Sequence, residues 1–493
     1  MNNTIKSIIS LFLLTFTFAG CYDDKGNYEY ISEDEAMPVH IAPIDSISIR
    51  AASTLSIKPE LTGNDGGDYS YLWYAIDNNS NAIDTLSKER DLNVPVNMKV
   101  GKYRLYYRVY NNANGVYRSV STPLNVTSTD ITSGWYVMKK SSEGVDIDYY
   151  SIDGKYNQSD ILDKILNAPL LKGEPKSIMW QPNGYGYEIQ EPDGTITKVE
   201  DVSAMHLLTS NDYVTLSGAD MSEMVNERSM FYESPDKIDF QLLFKDDYTC
   251  FMMNNGKIQE LGGIGKWGYQ MAGNYQLMPF IVDSRGDDFG FDNHTNTFYN
   301  FAWGDMSEVY DMDGNPFTEF ADSAISVSRG LLHNVPDYLP DIFLIAKSGM
   351  TGKHYAINVQ FAFGSVYKTE YYKIPSNSPI LDADIMAMPK TATVIYYANE
   401  NKLMMYRIAD EGKTPSKQLK SFAQNEKIAF IKNITGTDKD GKAFNDIVII
   451  TNTPSEYNVY RFPMVGSAGE LNTTSSAVIS GKGEAHQLLF RQE

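Results

Sequence analysis

Two cysteines stand in 493 residues, at positions 21 and 250. With the first committed elsewhere, no disulfide can brace the fold, even in an oxidising compartment. Histidine is nearly as scarce: His40, His206, His294, His333, His354 and His486 are scattered singly, with no pair at the spacing of a helical or hairpin zinc site. No apolar run reaches the roughly 20 residues that a membrane-spanning helix requires. Positive charge is short as well, with Lys+Arg 42 against Asp+Glu 63 and a formal net charge of −21. A field of that sign repels phosphate backbones and sets nucleic acid aside as a partner. Missing too are a G-x-S-x-G nucleophile turn, a phosphate-cradling glycine loop and a metalloprotease helix. The sequence is therefore read as that of a non-enzyme with no cofactor.

What is present begins at the N-terminus. Lys6 precedes about a dozen mostly apolar residues, Ile8 to Ala19, and the small residues Ala19-Gly20 precede Cys21. Residues 1–20 thus have the three regions of a signal peptide. Phe18-Ala19-Gly20-Cys21 resembles the bacterial lipobox, with Phe where Leu is usual. That resemblance implies a diacylglyceryl group on Cys21, a stable anchor because each buried CH₂ contributes about 0.8 kcal/mol. Tyr22-Asp23-Asp24 resembles the acidic export signal of Bacteroidetes lipoproteins, which implies an outer-membrane protein facing the cell exterior. Residues 21–40 read as an acidic tether. Cys250 alternates with apolar residues before an Asn-Asn-Gly turn and reads as a small core residue.

Aromatics make up 12% of the chain, mostly tyrosine, and favour pleated, half-buried surfaces. From 41 to 128, short alternating runs succeed one another: SISI (46–49), TLSIKPEL (54–61), YSYLWYAI (69–76) and KYRLYYRVY (102–110). In the last, Tyr103, Leu105, Tyr107 and Val109 share one face and Arg104, Tyr106, Arg108 and Tyr110 the other, which is the pattern of a sandwich strand. About seven such strands suit an immunoglobulin-like β-sandwich, with Trp73 as a core residue. YSYLWY, TLSKERDLNVPV and GKYRLYYRVYNNANGVY, together with CYDDKGNYEY, resemble the PKD-like family of Bacteroidetes lipoproteins. The resemblance implies a surface lipoprotein associated with SusC/SusD-type uptake systems for glycans or peptides, and it implies no catalysis.

Residues 133–493 are dominated by hairpins linked by polar turns: GWYVMKK with DIDYYSIDGK, GYGYEIQ with TITKV, DYTCFMM with KIQEL, TATVIYYA with KLMMYRI, and DIVIITN with YNVYRF. Two helices are predicted, one over NQSDILDKILNA with Ser159 as N-cap and one near Asp220 to Met230. The last two hairpins recur at a pitch of roughly 50 to 60 residues, within range of propeller blades. The expected fold is all-β: a PKD-like sandwich followed by a β-propeller of about seven blades, closed by HQLLFRQE beside GWYVMKK so that no sheet edge is left unpaired.

Chemistry is sparse. Asp311 to Pro316 (DMDGNP) and Asp438 to Lys442 (DKDGK) have the look of calcium loops but lack the EF-hand spacing, and read as hairpin turns. Ser284 to Asp292 (SRGDDFGFD) brings three carboxylates together in sequence, as glycoside hydrolysis would need in space. Trp267 and Trp303 lie beside turns and are the candidates for an exposed stacking platform, although each reads first as core. The expected function is that of a surface accessory or glycan- or peptide-binding component of an uptake system. The alternatives are a propeller-type glycoside hydrolase or lyase, and a purely structural subunit of the transporter complex.

Overall fold

A computed structural model describes residues 31–492 except 51–52, 64–65, 79–80, 99, 128–130, 166–169, 191–194, 220, 222, 227–228, 247–248, 284–286, 302–304, 334–340 and 475–477. The signal peptide, Cys21 and the Tyr22-Asp23-Asp24 motif lie outside the described residues, as does Trp303. The chain divides into two compact units. One comprises residues up to Ile47, Leu55–Val94 and Tyr103–Leu124, and the other comprises Ser48–Thr54, Pro95–Lys102 and everything from Asn125 onward.

The N-terminal part is an all-β sandwich, as expected. Strands Ile47–Arg50, Tyr117–Thr127, Gly101–Asn111, Tyr69–Asp77 and Ile83–Ser87 form one sheet in that order, and His40–Ile41 pairs with Leu61–Thr62. Alternation decides which face is buried: Tyr103, Leu105, Tyr107 and Val109 are all buried, while Arg104 between them is exposed. Trp73 is fully buried, stacks on Tyr107 at 4.2 Å and donates its indole N–H to the Arg90 carbonyl. Burial of so large an aromatic pair contributes several kcal/mol to this core. Of the acidic segment before it, residues 21–30 lie outside the described residues. Ser32 and Glu35 form a reciprocal capping box that starts a one-turn helix, Glu33–Ala36, and Asp34 pairs with Arg118.

Among the described residues from Gly134 onward, seven sheets follow one another in sequence. Sheet I contains Asn157–Gln158, Val145–Ser151, Gly134–Lys140 and Glu484–Arg491, in that order. Sheets II (Pro175 to Asn226), III (Phe240 to Gln270) and IV (Val282 to Glu308) are four-stranded meanders. Sheet V runs from Ile325 to Ile374, with Tyr310–Asp311 added in parallel along its outer edge. Sheets VI (Met386 to Ser421) and VII (Lys427 to Leu471) complete the series, and Ile479–Lys482 also pairs into VII. Among the described residues, no single sheet closes on itself. The expected pairing of the C-terminal segment is present: Glu484–Arg491 runs antiparallel to Gly134–Lys140.

Most central strands here are buried on both faces, because each sheet is packed between two others. In sheet III, Cys250 and Met252 join a core with Met179, Leu208 and Tyr213 of sheet II, while Phe251 and Met253 join one with Leu277, before sheet IV, and with Phe301. The same alternation continues through IV–V, V–VI and VI–VII. Val448, Ile450 and Tyr457 of sheet VII then share a core with Trp135, Val137 and Leu488 of sheet I. Sheets I and II meet through Arg491, which is buried, lies 3.7 Å from the centre of the Trp180 ring and donates to the Gly218 carbonyl at 2.9 Å. Gly218 has to lack a side chain, since a Cβ there would lie 2.4 Å from the Trp180 ring.

Both predicted helices are corrected. After Ser159 the described part of the first stripe is a π turn, Ile161–Ile165, with the buried Asp146 carboxylate accepting the N–H groups of Leu162 and Asp163 and holding the turn against sheet I; residues 166–169 lie outside the described residues. Between Asp220 and Met230 the chain instead forms an edge strand, Glu223–Asn226, paired with Tyr213–Ser217. Pairing to an existing sheet satisfies backbone groups that a helix of that length would leave half unpaired.

One buried network sets a pH dependence. His206 of sheet II is fully buried, with Gln181 Oε1 at 3.0 Å from Nε2 and Tyr213 Oη at 2.8 Å from Nδ1. Burial lowers its pKa from about 6.5 to about 3. Between those values the unfolded chain takes up a proton that the folded chain refuses, so this contribution to stability is complete above pH 6.5 and is lost as pH falls towards 3. Asp341 and Asp146 act in the opposite sense, since burial raises their carboxyls to about 7 and about 6. A His206→Gln variant isolates the histidine. In urea unfolding, wild type should lose about 2–3 kcal/mol more than the variant between pH 7 and pH 4.5. Parallel losses in the two proteins would refute the assignment.

Candidate functional site

The polar turns at one end of sheets VI, VII and I enclose two adjoining cavities. One, of about 690 Å³, is bounded by the connection into sheet VI at Pro379–Ile385, by the Asn399–Asn401 turn and by Gln424 and Lys427. The other, of about 490 Å³, lies between Asn425–Ala429, the Asn452–Pro454 turn and Glu484 with His486. Ile385, Lys427 and Ile428 line both. Volumes of this order are those of ligand sites.

The walls are held by the sheets beneath them. Glu400 adopts a left-handed conformation (φ 56°) in the turn between Val394–Asn399 and Lys402–Arg407, and Asn401 Nδ2 donates to the Phe422 carbonyl at 2.7 Å. Asn452 both donates to and accepts from the backbone of Ala485, at 3.0 Å each way, which fixes the sheet VII turn to the start of the last strand of sheet I. Below the floor, Glu426 accepts from Thr451, Asn458 and Tyr460, and is held below the usual carboxylate range by those hydrogen bonds against the opposing effect of burial. The rim is therefore polar and built on rigid hairpins.

A third cavity, of about 340 Å³, lies at the same end beside sheet I and is lined by Lys139, Asp146, Asp160 and Lys164. Its charged groups are engaged with one another. Lys139 lies 2.7 Å from Asp148 and 2.8 Å from Asp160, and Tyr457 donates to Asp148 at 2.6 Å. Such a closed set of pairs reads as a brace between sheets VII and I.

Sequence-derived candidates fall elsewhere. Trp267 is fully buried in the core between sheets II and III, so it offers no stacking platform. Asp311 and Asp438 each accept two backbone N–H groups of their own turns, which gives both DxDG stretches the geometry of Asx turns. In Ser284 to Asp292, residues 284–286 lie outside the described residues; Asp288 is buried, and Asp292 accepts the N–H groups of Gln276 and His294. Cys250 is buried and its thiol is pushed up to about 12, as suits a core residue. Among the described histidines, His486 lines the smaller of the two joined cavities. The cavity residues carried no motif; their one sequence signal was that the acid- and amide-rich turns NENK and TNTPSE follow equivalent strands of successive hairpins.

Residues 21–175 match the model of the PKD-like family. The match covers less than half of the chain, includes the sandwich and extends into the first strands of sheet I. No curated protein matches the sequence. Among solved structures, the chain resembles the extracellular domain of a B. thetaiotaomicron protein assigned as a one-component system, at 9% identity and a TM-score of 0.23, with 90% of this chain and 70% of that one covered. It also resembles the N-terminal eight immunoglobulin domains of Down syndrome cell adhesion molecule, at 10% identity and a TM-score of 0.15, covering 85% of this chain and 67% of the other. No helix among the described residues is long and apolar enough to cross a membrane.

Proposed function

We propose that the protein is a lipoprotein of the outer-membrane surface, anchored through Cys21 and directed outward by Tyr22, Asp23 and Asp24. In this reading it serves as the ligand-binding accessory of a SusC/SusD-type uptake system. The seven sheets are the blades of one β-propeller: successive blades share a hydrophobic core, and Glu484–Arg491 links the last part of the chain to the first blade. The cavity-bearing end of that propeller takes up a glycan or a peptide, and the protein has no catalytic role. The observation that carries this reading is the pair of joined cavities over sheets VI, VII and I, the larger with a mixed polar and apolar lining and the smaller lined mainly by apolar surface. Glycan and peptide arrays probed with the purified chain test it. A Gln424→Trp variant, filling the larger cavity from an exposed position, should weaken any hit at least tenfold in calorimetry while leaving the unfolding temperature unchanged. Turnover of an array compound would replace the binding role with an enzymatic one. Silence on both arrays, with capture of the transporter from membranes, would favour a structural subunit.

A further inference from the structure

The lining of the two cavities selects between the ligand classes, on the premise that they are the binding site proposed above. Among its charged groups carboxylates prevail: Asp382, Asp384, Glu400 and Glu484 stand against Lys427 and His486. Asp384 faces Arg329 at 3.8 Å and Glu484 faces His486 at 3.8 Å, while Asp382 and Glu400 have no ion-pair partner among the described residues. None of the lining residues is Trp, Tyr or Phe. A pyranose ring presents an apolar face that stacks on such aromatics, and this site offers it no platform. Side-chain amides are plentiful instead, with Asn399, Gln424 and Asn425 among them. An amide carries both donors and an acceptor and so matches the N–H and C=O of an extended main chain.

We infer that the joined cavities bind an extended cationic peptide, its main chain lying across the shared Lys427–Ile428 ridge and its lysine or arginine side chains reaching Asp382 and Glu400. Opposite charges at this exposed depth attract across a Debye length of about 8–10 Å, so binding is strongest at low salt.

Calorimetry on the purified full chain tests the inference with four probes: an octapeptide of alternating Lys and Gly, its Glu-Gly counterpart, a Ser-Gly counterpart, and an N-trimethyl chitosan tetramer, which carries four permanent positive charges on a sugar chain. The Lys-Gly peptide should bind at least tenfold more tightly than the Ser-Gly peptide, and the Glu-Gly peptide should not bind. Raising NaCl from 50 to 300 mM should weaken the Lys-Gly complex several-fold, and Asp382→Asn with Glu400→Gln should weaken it at least tenfold. Both substitutions lie on exposed turns, so an unchanged unfolding temperature certifies the fold. Equal binding of the Lys-Gly and Ser-Gly peptides overturns charge selection while leaving a peptide site intact. Binding of chitosan in preference to the peptide overturns the peptide class. Loss of binding to all four probes together with silence on the arrays refutes the site itself, whereas array hits confined to neutral glycans refute only this inference.

Discussion

Deletion of Glu484–Arg491 should abolish the cooperative unfolding transition of the C-terminal unit. This strand supplies the partner for every residue of Gly134–Lys140, and without it that strand becomes an open edge of sheet I. The deletion also removes Ala485 and Leu488 from the core between sheets VII and I, and Arg491 from its place between Tyr136, Trp180 and the Gly218 carbonyl. The point variant Arg491→Ala separates these effects. A buried charge-assisted hydrogen bond contributes about 1.5–3 kcal/mol and a desolvated cation–π contact about 2 kcal/mol, so a loss of about 3–5 kcal/mol is expected with cooperativity retained. Calorimetry and near-ultraviolet circular dichroism on the two variants distinguish the outcomes. A truncated chain that melts like wild type would sink the view that this strand completes the unit.

The second large effect lies at the same seam. Asp148 is wholly buried and accepts from Lys139, Tyr457 and the Asp160 N–H. Lys139→Ala leaves a buried carboxylate without its cation, and breaking a buried pair from one side costs about 3–5 kcal/mol. Asp148→Asn keeps an acceptor for the Asp160 N–H but carries no charge. Combining it with Lys139→Ala should therefore recover about half of the loss, a coupling that a double-mutant cycle in urea measures directly. A Lys139→Ala variant within 1 kcal/mol of wild type would show that Asp148 is paired well enough without the lysine. The contrast between single and double variants also guards against reading mere loss of side-chain packing as loss of the ion pair.

Strands were legible in the sequence because burial writes itself as alternation or as an unbroken apolar run. Ile447 to Ile450 is continuous because Ile447 and Ile449 face sheet VI while Val448 and Ile450 face sheet I. The helix signal at Ile161, Leu162 and Ile165 was real periodicity, yet one carboxylate sixteen residues away, Asp146, holds the described residues Ile161–Ile165 in a π turn. The cavities left no such trace. Their walls come from turns separated by up to a hundred residues, each of ordinary loop composition, and only the stacking order of the sheets brings Asp382, Glu400, Lys427 and His486 to one end. Trp267 shows the converse: flanking glycines suggest a rim, but the first reading as a core residue holds, because Tyr213 and Phe240 enclose it.

Arg491 and Tyr136, hydrogen-bonded in the finished protein, are 355 residues apart in the chain. A nascent polypeptide emerging from its N-terminus therefore presents Gly134–Lys140, with six of its seven residues destined for burial, long before the strand that will cover it exists. Local hairpins can form on the way, but the slow step is the capture of the tail by the head, a contact of very high sequence separation. For that interval the chain is most exposed to wrong pairing, so chaperone dependence and aggregation should track the exposure of this one edge more closely than the stability of the mature fold.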